Sequence, residues 1–189
     1  MADDIDHNSG GLSFTENISI SWKSIDYQPD DSHLALVNDS NEAFLRTVSA
    51  IGEFSKDVSD DSPAISQEIA RLDLKLNLLL DLVGQLIYQQ LDIPEISQVT
   101  ISSNEITWLG EDLPAVGSTV FVQAYIQRGT PKPLSFYGEV VSSSDDIAEG
   151  RTRVRYLGLC GSAKTWLDKL IFRHHRREVA FKKSNKSIS

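Results

Sequence analysis

Three groups of residues in this 189-residue sequence have types and spacings that could do chemistry. Arg151, Arg153 and Arg155 alternate with Thr152, Val154 and Tyr156, so in a strand they project from one face. Arg173, Arg176 and Arg177 can share a helix face, and Lys182 and Lys183 extend that charge. Guanidinium forks bind phosphate or carboxylate through paired hydrogen bonds, which makes both arginine groups candidates for an anionic ligand or an acidic partner. The plainer reading of the second group is a solvated last turn whose cations offset the helix macrodipole. The third group, Gly158-Leu-Cys-Gly-Ser-Ala-Lys164-Thr165, comes within one residue of a P-loop between a predicted strand and a predicted helix. Ala163 stands where the second glycine would let backbone approach phosphate, and no βαβ pattern surrounds it. A P-loop-like nucleotide hydrolase is therefore only a remote alternative.

Other reactive residues read as structural. His174 and His175 are sequence neighbours and point apart on a helix, while His7 and His33 lie in polar stretches without a ligand-spaced partner, so no metal site is expected. Cys160 is the single cysteine. It has no internal disulfide partner, fits a reducing cytoplasm, and is expected to be a small packed residue. The pairs Asp60-Asp61 and Asp145-Asp146 read as solvated turns. No catalytic residue and no cofactor is assigned, and the expectation is that the chain is not an enzyme.

The charge is uneven. Net charge is −9, with −10 over residues 1–64, −5 over 65–163 and +6 over 164–189. An acidic chain repels nucleic acid, which is not an expected partner, and any anion binding must be local to basic positions. No apolar run approaches the roughly 18–20 residues needed to span a bilayer. The polar start, MADDIDHNSGG, reads as neither a signal peptide nor a packed segment. A cytoplasmic location is the resulting expectation.

The elements that must position these residues follow from periodicity. Leu12, Phe14, Ile18, Ile20 and Trp22 are mostly evenly spaced, as in a strand or extended arm, and residues 1–32 are assigned to an acidic, partly disordered arm. Residues 33–93 read as helical. A first helix is expected to start near Asp39 or Ser40, either of which could cap it, and residues 55–63 form an acidic, serine-rich break. The clearest pattern lies in a helix over 64–91, between Pro63 and Pro94. Ile69, Leu76 and Val83 form one seven-residue series, and Ile65, Leu72, Leu79 and Leu86 a second. Their alternating steps of four and three make a coiled-coil seam. Leu74, Leu78, Leu80, Leu82 and Ile87 widen it beyond a two-stranded stripe, as in a four-helix arrangement or a helix lying on its own domain. The rest of the chain offers little to cover this coat, so self-association is expected. From 94 to 181 the period changes to two. Four strand-like segments around Val99–Trp108, Val120–Ile126, 134–143 and 151–158 are separated by turn residues and followed by a helix from Ala163 to about Phe181. Residues 182–189 read as a frayed tail.

This order of parts resembles the atypical, tetramer-forming branch of PilZ-domain proteins. The likeness rests on ARLDLKLNLLLDLV (70–83), TPKPLSFYGEVV (130–141), RVRYLGL (153–159) and IFRHHRRE (171–178), and covers roughly residues 34–181. It implies an α+β fold: a small six-stranded antiparallel β-barrel with a C-terminal helix, preceded by the long heptad helix, in a bacterial signalling protein that forms a homo-oligomer, a tetramer, and acts on an unidentified protein partner without inserting in a membrane. Standard PilZ domains bind cyclic di-GMP through RxxxR just before the first barrel strand and [D/N]xSxxG in that strand. Residues 84–98, where the first should fall, contain no arginine or lysine. At Thr100-Ile101-Ser102-Ser103-Asn104-Glu105 only Ser102 matches the second, and Glu105 puts a carboxylate where glycine should be. Cyclic di-GMP binding through the standard motifs is therefore not expected. The alternative is a cyclic di-GMP receptor that uses a rearranged arginine-lined site.

Overall fold

The computed structural model describes residues 12–54, 63–88, 94–127 and 132–186. In chain order the elements are β1 (Ser13–Ser24), α1 (Asp31–Phe54), α2 (Pro63–Tyr88), β2 (Ile96–Ser102), β3 (Glu105–Leu109), β4 (Thr119–Tyr125), β5 (Leu134–Val140), α3 (Ser144–Ala148), β6 (Arg151–Leu157) and α4 (Gly161–Lys186). The six strands close into an antiparallel barrel in the order β1-β2-β3-β6-β5-β4. Alternation builds its interior: Val99, Ile101, Ile106, Val120, Val122, Ala124 and Val154 are fully buried, and their neighbours in sequence face outward. Gly138 of β5 is needed where β6 crosses closely. A Cβ there would lie 2.2 Å from Val154 Cγ1 and 2.8 Å from the Arg155 carbonyl oxygen.

The N-terminal arm is corrected by β1. This segment pairs with β2 from Ser13↔Ser102 and with β4 through Ser24↔Val120, and so closes the barrel. Its alternation was legible as a strand, but its partners lie some seventy or more residues away, which no local pattern can show. Residues 1–11 lie outside the described residues.

Helix α1 begins at Asp31, eight residues ahead of the sequence expectation. Asp30 is its cap, accepting the His33 N–H at 2.9 Å, with His33 Nδ1 2.7 Å from the same oxygen. The polar run Asn38–Asn41 that imitated a cap lies mid-helix. Asn38 and Asn41 are buried and bind other parts of the fold: Asn41 exchanges two bonds with the Ser135 backbone, at 2.6 and 3.0 Å, while Asn38 donates to the Gly158 carbonyl at 2.8 Å and accepts the Cys160 N–H at 3.1 Å. Each amide pairs two backbone groups of a distant segment, tying α1 to β5 and to the turn between β6 and α4. Phe44 and Leu45 of α1 and Leu167, Leu170 and Ile171 of α4 complete the core, and α1 packs on α4 and β5.

Two further boundaries shift. Helix α4 starts at Gly161 and continues to Lys186, so the first five residues of the expected frayed tail are helical, and only 187–189 lie outside the described residues. The loop at 143–150 contains α3, opened by a capping box in which Ser143 Oγ accepts the Asp146 N–H and Asp146 binds back to the Ser143 N–H.

Helix α2 forms over almost the span read from its heptads. Among the described residues no other helix or strand packs on it. Its apolar side chains stand in the open: Ile69 is 44% exposed, Leu76 55%, Leu79 59% and Leu86 61%. Leu72 and Val83 are also exposed, as are Leu74, Leu78, Leu80 and Leu82 on its other sides. Ile65 lies in the first turn of the helix. Among the described residues no helix is long and apolar enough to cross a membrane.

Candidate functional site

Two turns at one end of the barrel and the outgoing end of β6 enclose a cleft. The β2–β3 hairpin ends in Ser103-Asn104, β6 runs out through Arg155 and Tyr156, and the link through Gly158 and Leu159 leads into α4. Gly158 takes the left-handed conformation (φ 62°) and lies flat against Leu34; a Cβ there would come within 2.4 Å of Leu34 Cδ1. Asn38 of α1 holds both sides of the turn through Gly158 and Cys160. Across the gap, Lys164 Nζ donates to Asn104 Oδ1 at 3.0 Å and Ser103 Oγ donates to Asp168 Oδ1 at 2.5 Å, tying α4 to the hairpin. The result is an open cleft of about 410 Å³ with Ser103, Asn104, Arg155, Tyr156, Leu159 and Lys164 on its walls.

The three alternating arginines do project outward together, but their surroundings separate them. Arg153 lies opposite Thr107 in the β3–β6 ladder. It reaches Glu105 Oε1 at 2.7 Å with Nη1, and the two oxygens of Asp146 at 3.2 Å each with Nε and Nη2. Arg151 pairs with Glu149 at 2.7 Å and lies 3.8 Å from Asp146. The Asp146 carboxyl is nearly enclosed. Burial alone would raise its pKa, but the Arg153 fork and the Ser143 N–H and hydroxyl outweigh burial and hold it below the usual value. The same hydrogen bonds to Asp146, with Glu105 adding to them, raise the Arg153 pKa against the desolvation that would lower it. Arg151 and Arg153 are thus committed to internal carboxylates. Among the described residues Arg155 alone of the three has no charge partner, and it lies exposed at the cleft.

Ser102, read from the sequence as the one match to a nucleotide motif, is likewise engaged by its own chain. Ser102 Oγ accepts the Asn104 and Glu105 N–H groups at 3.3 and 3.1 Å and donates to the Glu105 carbonyl at 3.0 Å. It is the lock of the hairpin. Glu105, read from the sequence as a carboxylate in place of the motif's glycine, pairs with Arg153 at 2.7 Å.

The second arginine group sits elsewhere on the molecule, where α4 crosses α1 and β1. Arg173 is half-buried and donates to the Val48 carbonyl at 3.3 Å. Arg176 lies 5.8 Å over the exposed Phe172 ring, and Arg177 faces solvent. His174 stacks on Phe14 with ring centroids 4.2 Å apart. Burial, with Arg177 and Arg173 beside it, pushes its pKa down to about 4, so its 3.8 Å approach to Glu16 is not an ion pair at neutral pH.

Cys160, Lys164 and Tyr156 were read wrongly or missed. Cys160 is exposed, not packed. It stands at the start of α4, where the Ala163 backbone and the Ser162 hydroxyl lower its thiol pKa. Lys164 entered the sequence reading only as the lysine of a false P-loop, and the structure places it on the cleft wall with Arg155, in an antiparallel barrel without βαβ geometry. The Tyr156 hydroxyl also escaped notice. It is enclosed without a hydrogen-bond partner among the described residues, and burial, with Glu105 nearby, raises its pKa well above the usual phenol value.

Residues 45–184 match the family described as "Atypical PilZ domain, cyclic di-GMP receptor". The chain belongs to this atypical PilZ family. Its fold is similar to that of a pathogenic protein from Xanthomonas campestris, whose crystal structure is described as a tetrameric PilZ domain self-assembled via a helical bundle, with a TM-score of 0.70 and 21% identity over 91% of this chain and 92% of that one. No curated protein matches the sequence. In PilZ terms, the barrel with its closing helices is the domain, Thr100–Glu105 is the stretch that resembles the nucleotide motif, and the cleft lies on the β6 and α4 side of the same hairpin.

Proposed function

We propose that this PilZ protein is a non-enzymatic signalling adaptor in bacterial cyclic di-GMP-related regulation, which assembles through α2 and has lost the standard nucleotide site. The observation that carries the reading is the coat of exposed leucines on α2, which nothing else in the described chain covers. A helix with an apolar coat wider than a two-stranded stripe is stable in water only when neighbours enclose that coat, and a second, third and fourth copy of α2 would do so. The tetramer formed by the similar Xanthomonas protein supports four as the number. Loss of the nucleotide site is supported by the missing arginines at 84–98, by Ser102 being spent on its own hairpin, and by Arg153 being held by Glu105 and Asp146. The arginines of α4 and the exposed Phe172 are the surface offered to an acidic protein partner.

Light scattering during a cyclic di-GMP titration tests both halves. The expected result is an oligomer whose mass is unchanged by nucleotide, with no binding heat through the Thr100–Glu105 stretch. Leu76→Asp combined with Leu79→Asp is expected to yield monomers with an intact barrel by circular dichroism. Tight stoichiometric nucleotide binding that Ser102→Ala abolishes would reverse the lost-site half, and an assembled double variant would reverse the other.

A further inference from the structure

We propose that the cleft between the β2–β3 hairpin, the end of β6 and the start of α4 binds a small phosphoryl anion, inorganic or esterified, gripped by Arg155 and Lys164. The site shares Ser103 and Asn104 with the stretch resembling the nucleotide motif, but Thr100 and Ser102 do not line it, and the gripping residues Arg155 and Lys164 lie outside that stretch. The proposal does not depend on assembly through α2.

Charge makes the first argument. Two cations from different elements converge on one concavity whose lining contains no carboxylate. Arg155 has no charge partner among the described residues, and Lys164 is bound only by the neutral Asn104 amide. Of the acids nearby, Glu105 is engaged by Arg153 and Asp168 by Ser103, while Glu139 lies opposite Arg155 in the β5–β6 ladder without forming an ion pair with it. In a chain of net charge −9, two cations on one cleft wall that form no ion pair are a local exception. The wall adds to it: α4 begins beside the cleft with no acidic residue in its first turn, so the positive end of a 26-residue helix is not offset there.

Shape and donors make the second. The cleft's volume of about 410 Å³ lies within the usual range for small-ligand sites. The wall supplies a flat guanidinium for paired oxygens, an ammonium as a point charge and the Asn104 amide N–H groups. Tyr156 and Leu159 form an apolar side on which an attached organic group could rest. The position is pre-built: Asn38 pins the Gly158–Cys160 turn, and Lys164 is already drawn across the opening by Asn104.

The test uses the full chain and three probes: inorganic phosphate, 5′-GMP and cyclic di-GMP. Each is titrated by amide-resolved NMR into wild type, into Arg155→Gln with Lys164→Gln, and into a control of equal charge change placed elsewhere, Arg46→Gln with Lys132→Gln. The expected result is saturable shifts at Ser103, Asn104, Gly158 and Leu159 for at least one probe. Affinity should fall about tenfold or more in the cleft variant and hold within about threefold in the control. Phosphate alone saturating assigns an inorganic ligand, and the esters binding more tightly assign an organic one. Cyclic di-GMP binding that depends on Arg155 and Lys164 supports the cleft, even though it would overturn the adaptor's freedom from nucleotide. No saturation by any probe up to about 10 mM, or equal weakening in both variants, overturns the proposal. Unchanged melting of the cleft variant separates lost binding from lost fold.

Discussion

Replacing Arg153 by alanine removes the one guanidinium that faces both Asp146 and Glu105. The Asp146 side chain is only 7% exposed, and without Arg153 it keeps the Ser143 N–H and hydroxyl as its close hydrogen-bond partners, with Arg151 no nearer than 3.8 Å. Breaking a fully buried pair costs about 3–5 kcal/mol, but Arg153 is about a third exposed and Glu105 nearly as much. Water screens part of the interaction, so the expected loss is about 2–3 kcal/mol. For a chain of this size that is a fall in Tm of about 5–10 °C. The Asp146 pKa is depressed in the native state, so its contribution is present above the unfolded value near 3.8 and is lost as pH falls through the native pKa. The deficit of Arg153→Ala should therefore be full at pH 7 and shrink below about pH 4. Urea denaturation at fixed protein concentration, repeated from pH 7 down to about pH 3, measures it, and an Asp146→Asn cycle should recover a coupling of about 1–2 kcal/mol. A loss below about 0.5 kcal/mol, or one that does not vary with pH, would refute the reasoning that an internal carboxylate holds this arginine.

Gly138→Ala should cost about 3 kcal/mol or more, because the new methyl meets Val154 and the Arg155 carbonyl across the β5–β6 ladder; a urea midpoint equal to wild type would contradict the close crossing. The His174 ring, pushed down to about 4 by burial and its arginine neighbours, should stay neutral through physiological pH. Because the unfolded ring takes up a proton near 6.5, this site should lower stability as pH falls from about 6.5 to about 4. Ring-proton NMR checks it, and a midpoint near 6.5 would show that the ring is not enclosed against Phe14.

What could be read in advance depended on whether the cause was local. The helix of α2 was legible because heptad spacing and flanking prolines are properties of a short stretch. The outward face of Arg151, Arg153 and Arg155 was legible for the same reason, since a strand alternates whatever it pairs with. Which of the three stays unpaired was not, because that depends on Asp146 from α3 and Glu105 from the neighbouring strand. Asp39 and Ser40 misled because a polar residue that could cap a helix looks the same in sequence as one lying mid-helix, where its neighbours Asn38 and Asn41 bind distant segments. The place of β1 in the barrel was hidden by the two helices inserted between it and its partner β2. The cleft needed three separate elements to meet, so Lys164 had no local signal beyond a motif it does not form.

The central claim is that exposed leucines on α2 hold several copies of this PilZ protein together. Sedimentation equilibrium of the wild-type chain, diluted from about 50 to about 1 μM, tests it most directly. The account predicts a species of four times the 21.0 kDa subunit mass that persists on dilution. A 21.0 kDa monomer across that whole range would contradict it.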